Sequence, residues 1–551
     1  MISASETSNG TSRDNARGGG HGRGLDRDGV VVVGGGLAGL AAAVEIARTG
    51  VRVVVVDPNP HVGGKMNVLE ADGFKFDMGP TIITLPQVLK GIIERTGRDP
   101  ADYIDLIDLD PQWRCFFDDG VTINLRRDPR VFARELDAQF PDVRPGDGFL
   151  RFYEFSRKMY RLSEKVFFYK DLGGIGDLLR KPPTDPGVGM DALGMRLHST
   201  VGATIEKMIP EPHVRQVCEH FLQYVGSSPF LAPAVLSLIA SAQLDHGCWY
   251  PMGGTRQVAR SLERIAEELG VERVAGRRVS EILVEGDRTV GVRLDDGREI
   301  AADAVVSNCD VQRTNRDLLK GVPGASGELG RVGGSYQPAC SGLVLYLGLR
   351  RQYEHLAHHN FLFSRDSRNE FADIYERGVP ARDPTLYIAA PSRTDADQAP
   401  EGGEALYILI HTAALRDEHR WLERDGSPGP TLTEYRPVVL DKLKQHGMED
   451  IEEHIAVERY LTPPQIDRMY NAEGGAIYGL ASHGRLKGGF KPRNRSRVAK
   501  GLYLAGGSVN PGPGVPMVLM SGVTAAWAAL EDAGIDHAAK EKTARAAEPA
   551  A

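Results

Sequence analysis

The chain has 551 residues, of which 41% are hydrophobic and 25% charged, and its net charge is −8. This length exceeds what one hydrophobic core supports, so we expect at least two domains. The excess of acidic side chains excludes the broad cationic surface of a nucleic-acid-binding protein.

The five cysteines are scattered without a C-x-x-C pair. This pattern predicts reduced thiols, and neither a disulfide framework nor a zinc site. Residues 1–28 are polar and glycine-rich and lack the apolar core of a signal peptide, so we expect a disordered leader there and a disordered tail over 536–551. No apolar run of about 18 residues predicts a transmembrane helix, and we expect a cytoplasmic protein.

The first ordered segment reads as a β-α-β unit. Val30–Val33 is a short β-branched run that ends in glycines, and an alanine-rich helical stretch follows from Leu37 to Arg48. Gly50 ends this helix, and Val51–Val56 forms a second strand. Both strands are apolar on both faces, as a buried parallel sheet requires.

The rest of the chain mixes helices and strands. The pattern is helical and polar from about residue 85 to 250, and it alternates in strand fashion from about 341 to 455. The other predicted elements are a helix over Thr255–Leu269, strands over Val279–Val284, Thr289–Leu294 and Ala304–Ser307, a buried strand over Gly501–Ala505 and a last helix from Met517 to Asp532.

Gly34, Gly36 and Gly39 match the pattern G-x-G-x-x-G between the first strand and its helix. Such glycines permit a tight turn and a close approach of the backbone to a pyrophosphate, and the helix amino terminus favours the phosphate charge. Asp57 ends the second strand, where an acid accepts ribose hydroxyls. A purely structural glycine turn is the alternative, but the strand, the helix and the acid together favour dinucleotide binding.

The segment HVGGK, residues 61–65, follows the ribose-binding acid directly. A glycine pair and a cation at this point are typical of FAD enzymes and distinguish them from simple NAD enzymes. An ordinary surface turn is the alternative interpretation of this segment alone.

With these motifs the sequence resembles bacterial-type phytoene desaturases and the related diapophytoene desaturases, within the flavin amine oxidoreductase superfamily. The resemblance rests on GGGLAGL, VVVDPNPHVGGKMN and GFKFDMGPTIIT near the amino terminus and on KPRNRSRVAKGLYLAGGSVNPGPGVPMVLMSG near the carboxyl terminus. It covers most of residues 29–535. Lys65 stands where this superfamily usually has arginine, so a phosphate there would lack a bidentate partner.

The resemblance implies an α/β fold with a discontinuous, Rossmann-like and glutathione-reductase-like FAD-binding domain and a mixed α+β substrate domain. We assign residues 29–105, 251–310 and 480–535 to the first domain, and 106–250 and 311–479 to the second. The implied FAD-binding residues are Gly34, Gly36, Leu37, Ala38, Gly39, Asp57, Gly64, Lys65, Gly79, Pro80, Thr81, Val279, Asn308, Gly506, Gly507, Val515, Pro516 and Met517.

Two of these assignments have an independent physical reading. The glycines that precede Pro516 give a backbone able to touch a flat ring, and the helix that starts there would direct its positive end at the flavin N1/O2 edge. Val279 would lend backbone groups to the adenine, or it is simply a residue of the strand core.

The implied reaction is FAD-dependent desaturation of an acyclic carotenoid precursor of the phytoene or diapophytoene type. The flavin N5 takes a hydride, the adjacent carbon loses a proton, and oxygen or a quinone accepts the electrons. The alternatives are a carotenoid terminal-methyl oxidase or ketolase, an isomerase or saturase, and a non-catalytic protein that binds prenyl lipids.

Candidate catalytic side chains are few. Asp147 and Arg151 lie four apart on a predicted helix, where they would steady positive charge on a polyene or form a simple surface ion pair. His355, His358 and His359 lack an acidic partner at ligand spacing, which favours a solvated loop and no metal site.

A long hydrocarbon substrate implies contact with a membrane surface. Seven basic residues between Arg485 and Lys500 would meet anionic headgroups, and Val166–Leu179 would dip into the interface. Solvated charge and a buried amphipathic helix are the alternatives. We predict peripheral membrane association.

Overall fold

The computed structural model describes residues 25, 27–174, 177, 196, 199–484 and 488–537. Most of the predicted leader and tail lies outside these ranges. Within them no helix is long and apolar enough to cross a membrane, and all five cysteine thiols are free.

The strands, numbered in chain order, are β1 Val30–Val33, β2 Val53–Asp57, β3 Val68–Ala71, β4 Phe74–Asp77, β5 Leu106–Asp108, β6 Trp113–Phe116, β7 Thr122–Leu125, β8 Trp249–Pro251, β9 Glu272–Ala275, β10 Val279–Glu285, β11 Arg288–Leu294, β12 Glu299–Ala301, β13 Ala304–Ser307, β14 Ser341–Leu349, β15 His359–Leu362, β16 Leu386–Ala389, β17 Glu404–Thr412, β18 Ile455–Leu461 and β19 Leu502–Leu504.

The α-helices are α1 Leu37–Ala47, α2 Pro86–Arg95, α3 Pro129–Gln139, α4 Gly146–Val166, α5 Val201–Met208, α6 Pro212–His220, α7 Leu238–Leu244, α8 Gln257–Glu268, α9 Val311–Arg313, α10 Ala325–Ser335, α11 Ser367–Ala372, α12 Pro430–Gln445, α13 Ile451–His454, α14 Pro463–Tyr470 and α15 Val515–Asp532.

A five-stranded parallel sheet forms the centre of the nucleotide-binding part, in the order β19-β13-β1-β2-β9. Every side chain of β1 and β2 is buried because both faces of the sheet are covered. One face packs on α1 and α15, and the other on the antiparallel sheet β10-β11-β12. This three-layer α/β arrangement matches the predicted fold class.

A second, seven-stranded sheet has the order β18-β14-β17-β16-β15-β6-β7. Alternate residues of its central strands face opposite sides. On one side leucines and isoleucines of β14, β16 and β17 pack on α12. The other side carries aromatic and small residues and faces a cavity.

The strands of the five-stranded sheet all fall within the three segments assigned to the FAD-binding domain, and those of the seven-stranded sheet within the segments assigned to the substrate domain. The domain limits themselves stay a prediction. The expectation that residues 85–250 are helical is wrong in part, because β5 to β8 lie there. β6 pairs in parallel with β15, so a partner more than 240 residues away makes it a strand.

The histidine cluster is not a solvated loop. His358 and His359 are buried, and His359 begins β15. The ring Nδ1 of His359 is hydrogen-bonded to the hydroxyl of Tyr387 at 2.9 Å. No metal-binding group of histidine, cysteine and acidic side chains occurs among the residues that the structure describes.

The two segments predicted to contact a membrane mostly contact other parts of the protein. Val166, Phe167, Phe168 and Leu172 are buried in a hydrophobic cluster between the two parts of the molecule. Residues 175, 176, 178 and 179 lie outside the described ranges, so Val166–Leu179 can be placed only at residues 166–174 and 177.

The basic run is likewise no free cationic patch. Lys491 is buried, and Arg493 and Arg495 both form ion pairs with Asp171. Lys500 is exposed and pairs with an acidic side chain, whereas Arg485 and Lys487 lie outside the described residues. Most of the described run therefore serves internal contacts.

Candidate functional site

A cavity of about 620 Å³ lies between the glycine turns of the nucleotide-binding part and the seven-stranded sheet. Every residue predicted to bind FAD lines this cavity, with the exception of Gly39. Segments far apart in the sequence therefore meet around one space, as a long dinucleotide requires. That each of them contacts FAD stays a prediction.

The two glycine turns pack against each other. The amide of Gly63 donates to the carbonyl of Gly35 at 2.8 Å. A Cβ on Gly36 would stand 2.7 Å from Asn308 Oδ1, and one on Gly64 would stand 3.3 Å from the Cα of Gly36. Only glycine backbone fits this closely, so these turns give a ligand direct access to main-chain groups.

The first turn of α1 is open to a ligand. Its N-cap, Gly36, makes no side-chain capping hydrogen bond, and the first amides of a helix have no partner within it. The amides of Leu37 and Ala38 therefore border the cavity at the positive end of the helix dipole. This arrangement suits a pyrophosphate.

Gly39 and Asn308 hold this turn in place. The amide of Gly39 donates to Asn308 Oδ1 at 3.1 Å, and the same side chain donates from Nδ2 to the carbonyl of Ala505 at 3.1 Å. Asn308 thus ties α1 to the carboxyl-terminal segment. Sequence reasoning placed it near the cofactor without finding this role.

Asp57 is buried at the end of β2. Its Oδ2 accepts from the amide of Gly35 at 2.7 Å, and its Oδ1 accepts from the backbone and side chain of Asn59 at 2.8 and 3.0 Å. These bonds use three of about four acceptor positions of a carboxylate. Asp57 therefore fixes the glycine turn and keeps one acceptor position, which would suit a ribose hydroxyl.

Lys65 is held by backbone carbonyls of a distant segment. Its ammonium donates to the carbonyls of Ala476 and Ile477 at 3.3 and 2.9 Å. Burial lowers its pKa to about 8, although nearby Asp310 favours the charge. In this arrangement the cation holds the wall of the cavity, and a contact with phosphate stays a prediction.

The carboxyl-terminal loop forms the opposite wall. Gly506 and Gly514 have φ values of +121° and +101°, which residues with side chains rarely adopt. Gly514 is the N-cap of α15 without a side-chain cap, and Pro516 occupies the first turn. The cavity therefore meets a second helix amino terminus, bordered by Gly507, Val515 and Met517.

The remaining predicted residues also border the cavity. Gly79 packs so closely that a Cβ would stand 2.1 Å from the carbonyl of Lys65. The hydroxyl of Thr81 is hydrogen-bonded to that of Tyr387. Val279 is buried in the core of β10 and still lines the cavity, so both of its interpretations stay open.

Asp147 and Arg151 do not reach the site. Both are exposed on the first turns of α4 and lie outside the lining of the cavity. Arg151 donates to the backbone carbonyl of Met208 at 3.2 Å. Their placement excludes direct contact with a substrate in this cavity, because the inner face of α4 is filled by its apolar side chains.

The structure adds polar residues that sequence reasoning missed. Lys491 is buried beside the cavity and donates to the carbonyl of Ala481 and the hydroxyl of Ser482 at 2.9 and 2.8 Å. Burial lowers its pKa to about 7. His411 and Tyr407 point into the cavity from β17, and the alternation of that strand was the available signal.

The lining fits a flavin dinucleotide. Two uncapped helix amino termini, two interlocked glycine turns and a buried acid suit its phosphates and ribose, and the glycine-rich loop suits a flat ring. The rest of the lining is apolar and aromatic, including Phe361, Leu409 and Val344. A dinucleotide in the polar region and a separate hydrocarbon ligand in the apolar region would together match the whole lining.

Comparison with known proteins gives relatives along almost the whole chain. A 4,4'-diapolycopene oxygenase from Methylomonas sp is 37% identical over 497 residues, which are 90% of this chain and 97% of that protein. A 4,4'-diaponeurosporene oxygenase from Staphylococcus haemolyticus is also 37% identical, over 90% of this chain and 95% of that protein.

Solved structures share the fold. An oxidoreductase from Methanosarcina mazei aligns with a TM-score of 0.59 at 16% identity, over 90% of this chain and 99% of that one. Putrescine oxidase bound to putrescine aligns with a TM-score of 0.59 at 14% identity, over 92% and 99%. At these identities the likeness concerns the fold.

The model of one family, flavin containing amine oxidoreductase, matches residues 37–324. This range includes α1, the second glycine turn, β10 and Asn308. The match covers more than half of the chain, and the 4,4'-diapolycopene oxygenase aligns with 90% of it. The chain therefore belongs to the flavin containing amine oxidoreductase family and is an FAD-dependent oxidoreductase.

Proposed function

We propose that the protein oxidises a terminal methyl group of a long acyclic carotenoid to an aldehyde. The observation that carries this proposal is the similarity over almost full length to the diapolycopene and diaponeurosporene oxygenases. An apolar cavity beside the flavin-binding turns supports it, because a polyene hydrocarbon needs an apolar channel that ends at the reacting ring.

The reaction balances with either proposed acceptor. With a quinone, methyl carbon and water give the aldehyde, and two acceptor molecules each take two electrons and two protons. With oxygen, one methyl group and one dioxygen give one aldehyde and one water. Bound FAD supplies the capacity to accept a hydride from carbon.

The side chains of the protein would supply orientation and a dry channel. Phe361, Leu409 and Val344 line the cavity from the seven-stranded sheet, where flat and branched side chains can hold an extended polyene. Exclusion of bulk water there would protect an electron-deficient polyene end from uncontrolled attack by water. The polar side chains that also face the cavity would then decide where water reaches the chain.

Desaturation is the second candidate, and the closing sequence from Lys491 to Gly522 favours it through its resemblance to carotenoid desaturases. Both reactions would begin with hydride removal next to the polyene. Loss of a proton from the adjacent carbon then gives a new double bond, whereas capture of water gives an alcohol. One product analysis therefore separates them.

The test uses the purified, flavin-loaded protein with diapolycopene and, separately, with a more saturated acyclic precursor. Mass spectrometry should find products that gained one oxygen atom and lost two hydrogens. Labelled water and labelled dioxygen, used in parallel, identify the source of the oxygen. Products that have only lost hydrogen would contradict methyl oxidation and support the desaturase.

We also infer that the protein takes its substrate from a membrane surface, because a long hydrocarbon partitions into the bilayer. Met469 lines the cavity and is also exposed to solvent. Such an apolar side chain would suit a cavity entrance that faces the lipid. Flotation with liposomes should recover the protein in the lipid fraction. Absence of the protein from that fraction at low salt would contradict this inference.

A further inference from the structure

Four polar side chains lie together within the apolar cavity and are called the polar cluster here: His220, Gln223, His411 and Tyr478. The first two come from the end of α6 and the 3₁₀ turn after it, and they face the seven-stranded sheet, from which His411 projects. His220, Gln223 and His411 are buried.

The side chains of the polar cluster have few hydrogen-bond partners within the described part of the protein. Among the described residues, neither ring nitrogen of His220 has a hydrogen-bond partner, and Oε1 of Gln223 is buried without one. His411 reaches the hydroxyl of Tyr478 at 3.4 Å, near the limit of a hydrogen bond. Because buried polar groups are nearly always paired in folded proteins, this cluster calls for a polar ligand.

The ligand should be neutral. Burial lowers the pKa of His220 to about 3 and that of His411 to about 4, and nearby His411 further disfavours a charge on His220. Neutral imidazole offers one donor and one acceptor, and the glutamine amide offers both as well. A hydroxyl or a carbonyl oxygen matches these groups.

The surroundings of the polar cluster are apolar on one side. The ring of His220 lies 4.5 Å from that of Phe361, centroid to centroid, and 6.0 Å from that of Trp113. Leu409 precedes His411 on the same face of β17. A hydrocarbon chain on these residues would therefore bring an oxygen at its end to the polar cluster.

The polar cluster also borders the carboxyl-terminal loop. Gly479, which follows Tyr478, packs against Ser508 so closely that a Cβ would stand 3.0 Å from the amide of Ser508. The carbonyl of Tyr224, next to Gln223, lies 3.9 Å from the position of a Cβ on Gly514. An oxygen held by the polar cluster is thus near the wall where the ring is expected.

We propose that His220, Gln223 and His411 form a subsite for the oxygen-bearing end of a half-oxidised chain. The subsite rests on the proposed oxidation of a terminal methyl group and goes beyond it: it retains the intermediate alcohol for a second oxidation. In that step bound FAD would supply the acceptor for the hydride of the alcohol carbon. The hydroxyl would donate to a histidine nitrogen and pass its proton through it to water, since burial disfavours a charged ring, and an aldehyde would be left.

The test compares two probes on the flavin-loaded enzyme, diapolycopene and its terminal monoalcohol, each in detergent micelles. The wild-type protein should bind the alcohol about tenfold more tightly, the value of one or two added hydrogen bonds. The double variant Gln223→Met and His411→Leu should bind both probes equally, with an unchanged Kd for the hydrocarbon. Alcohol should accumulate in its product mixture.

Two controls separate recognition from loss of structure. Tyr346→Phe removes another buried hydroxyl that has no partner, on β14 and outside the cavity lining, and should leave the preference for alcohol intact. His220→Gln keeps a neutral donor and acceptor and should retain most of the preference, whereas His220→Leu should lose it. All variants should keep wild-type flavin content.

Equal affinity of the wild-type protein for both probes would overturn the subsite. An equal loss of affinity for both probes in the double variant would also overturn it. The proposed function fails in a different way. If hydrocarbon substrates yield only desaturated products while the alcohol is still preferred, methyl oxidation is wrong; the polar cluster then binds an oxygen-bearing chain end, but not an intermediate of this enzyme. If aldehyde forms without any preference for the alcohol, methyl oxidation stands and the subsite falls.

Discussion

Replacement of Gly39 by alanine should open the phosphate turn. In the first turn of α1, a Cβ on this residue would stand 2.0 Å from the carbonyl oxygen of Gly34 and 3.2 Å from Asn308 Oδ1. The first contact is with backbone, so no side-chain rotation can relieve it. The turn and the helix must separate, and the hydrogen bond from Gly39 to Asn308 weakens with them.

Two opposing contributions decide the change in the free energy of unfolding. Overpacking of this kind costs about 1–3 kcal/mol, whereas alanine in place of glycine stabilises a helix by ~1 kcal/mol. We expect the steric term to dominate, with a net loss of ~1–2 kcal/mol in the free energy of unfolding. FAD affinity should fall at least about tenfold, because displaced amides lose charge-assisted hydrogen bonds to the pyrophosphate.

The assay measures flavin per chain after dialysis and the thermal unfolding of the flavin-free protein. Gly330→Ala is the matched control, since it lies in α10 and no atom stands within 4 Å of its added Cβ. It should leave flavin content unchanged and raise stability slightly. A Gly39→Ala protein with full flavin content and an unchanged unfolding temperature would refute the assigned geometry of the turn.

Three further predictions concern charged residues. Burial lowers the pKa of Lys491 from 10.5 to about 7; the unfolded lysine therefore binds more protons between these values, and the free energy of unfolding of the flavin-free protein should rise with pH across that window by up to ~5 kcal/mol. Lys491→Met should flatten this rise in urea titrations, and an equally steep rise in the variant would exclude Lys491 as its source. Asp147→Ala and Arg151→Ala should keep flavin content and product yield, because both side chains are exposed outside the cavity; a folded, flavin-loaded variant without activity would contradict this placement. Arg495→Ala should lower the unfolding temperature without changing liposome flotation, since Arg495 pairs with Asp171 and other acidic side chains; weaker flotation at an unchanged unfolding temperature would restore the membrane interpretation.

The nucleotide-binding part was largely predictable because its signals are local. β1, α1 and β2 begin and end within two residues of their predicted limits, since glycines and a run of valines mark each boundary. The strand Ala304–Ser307 was predicted without error. In each case the pattern within about ten residues decides the conformation.

The substrate part depended on contacts that the local pattern does not contain. β6 is a strand because it pairs with β15 and β7. Lys491 looks like any member of a basic run, and its burial follows only from carbonyls that the fold brings to it. His359 was assigned to a solvated loop because the sequence does not tell which polar residues a sheet will cover.

The polar cluster bears on how one scaffold supports two oxidations. Hydride removal from a carbon beside a polyene leaves a cation, which either loses a proton, where the next carbon carries a hydrogen, or captures water. A wholly apolar wall favours proton loss, because no group there can hold water against the chain. His220 and His411 are neutral, and Oε1 of Gln223 has no partner among the described residues, so these side chains could hold one. On this reasoning a few side chains beside the carboxyl-terminal loop, and not the dinucleotide-binding turns, would decide between an alkene and an alcohol that is then oxidised to the aldehyde. The motifs shared with desaturases and the similarity to oxygenases are then compatible, because the motifs would serve cofactor binding whereas the cavity wall would set the product.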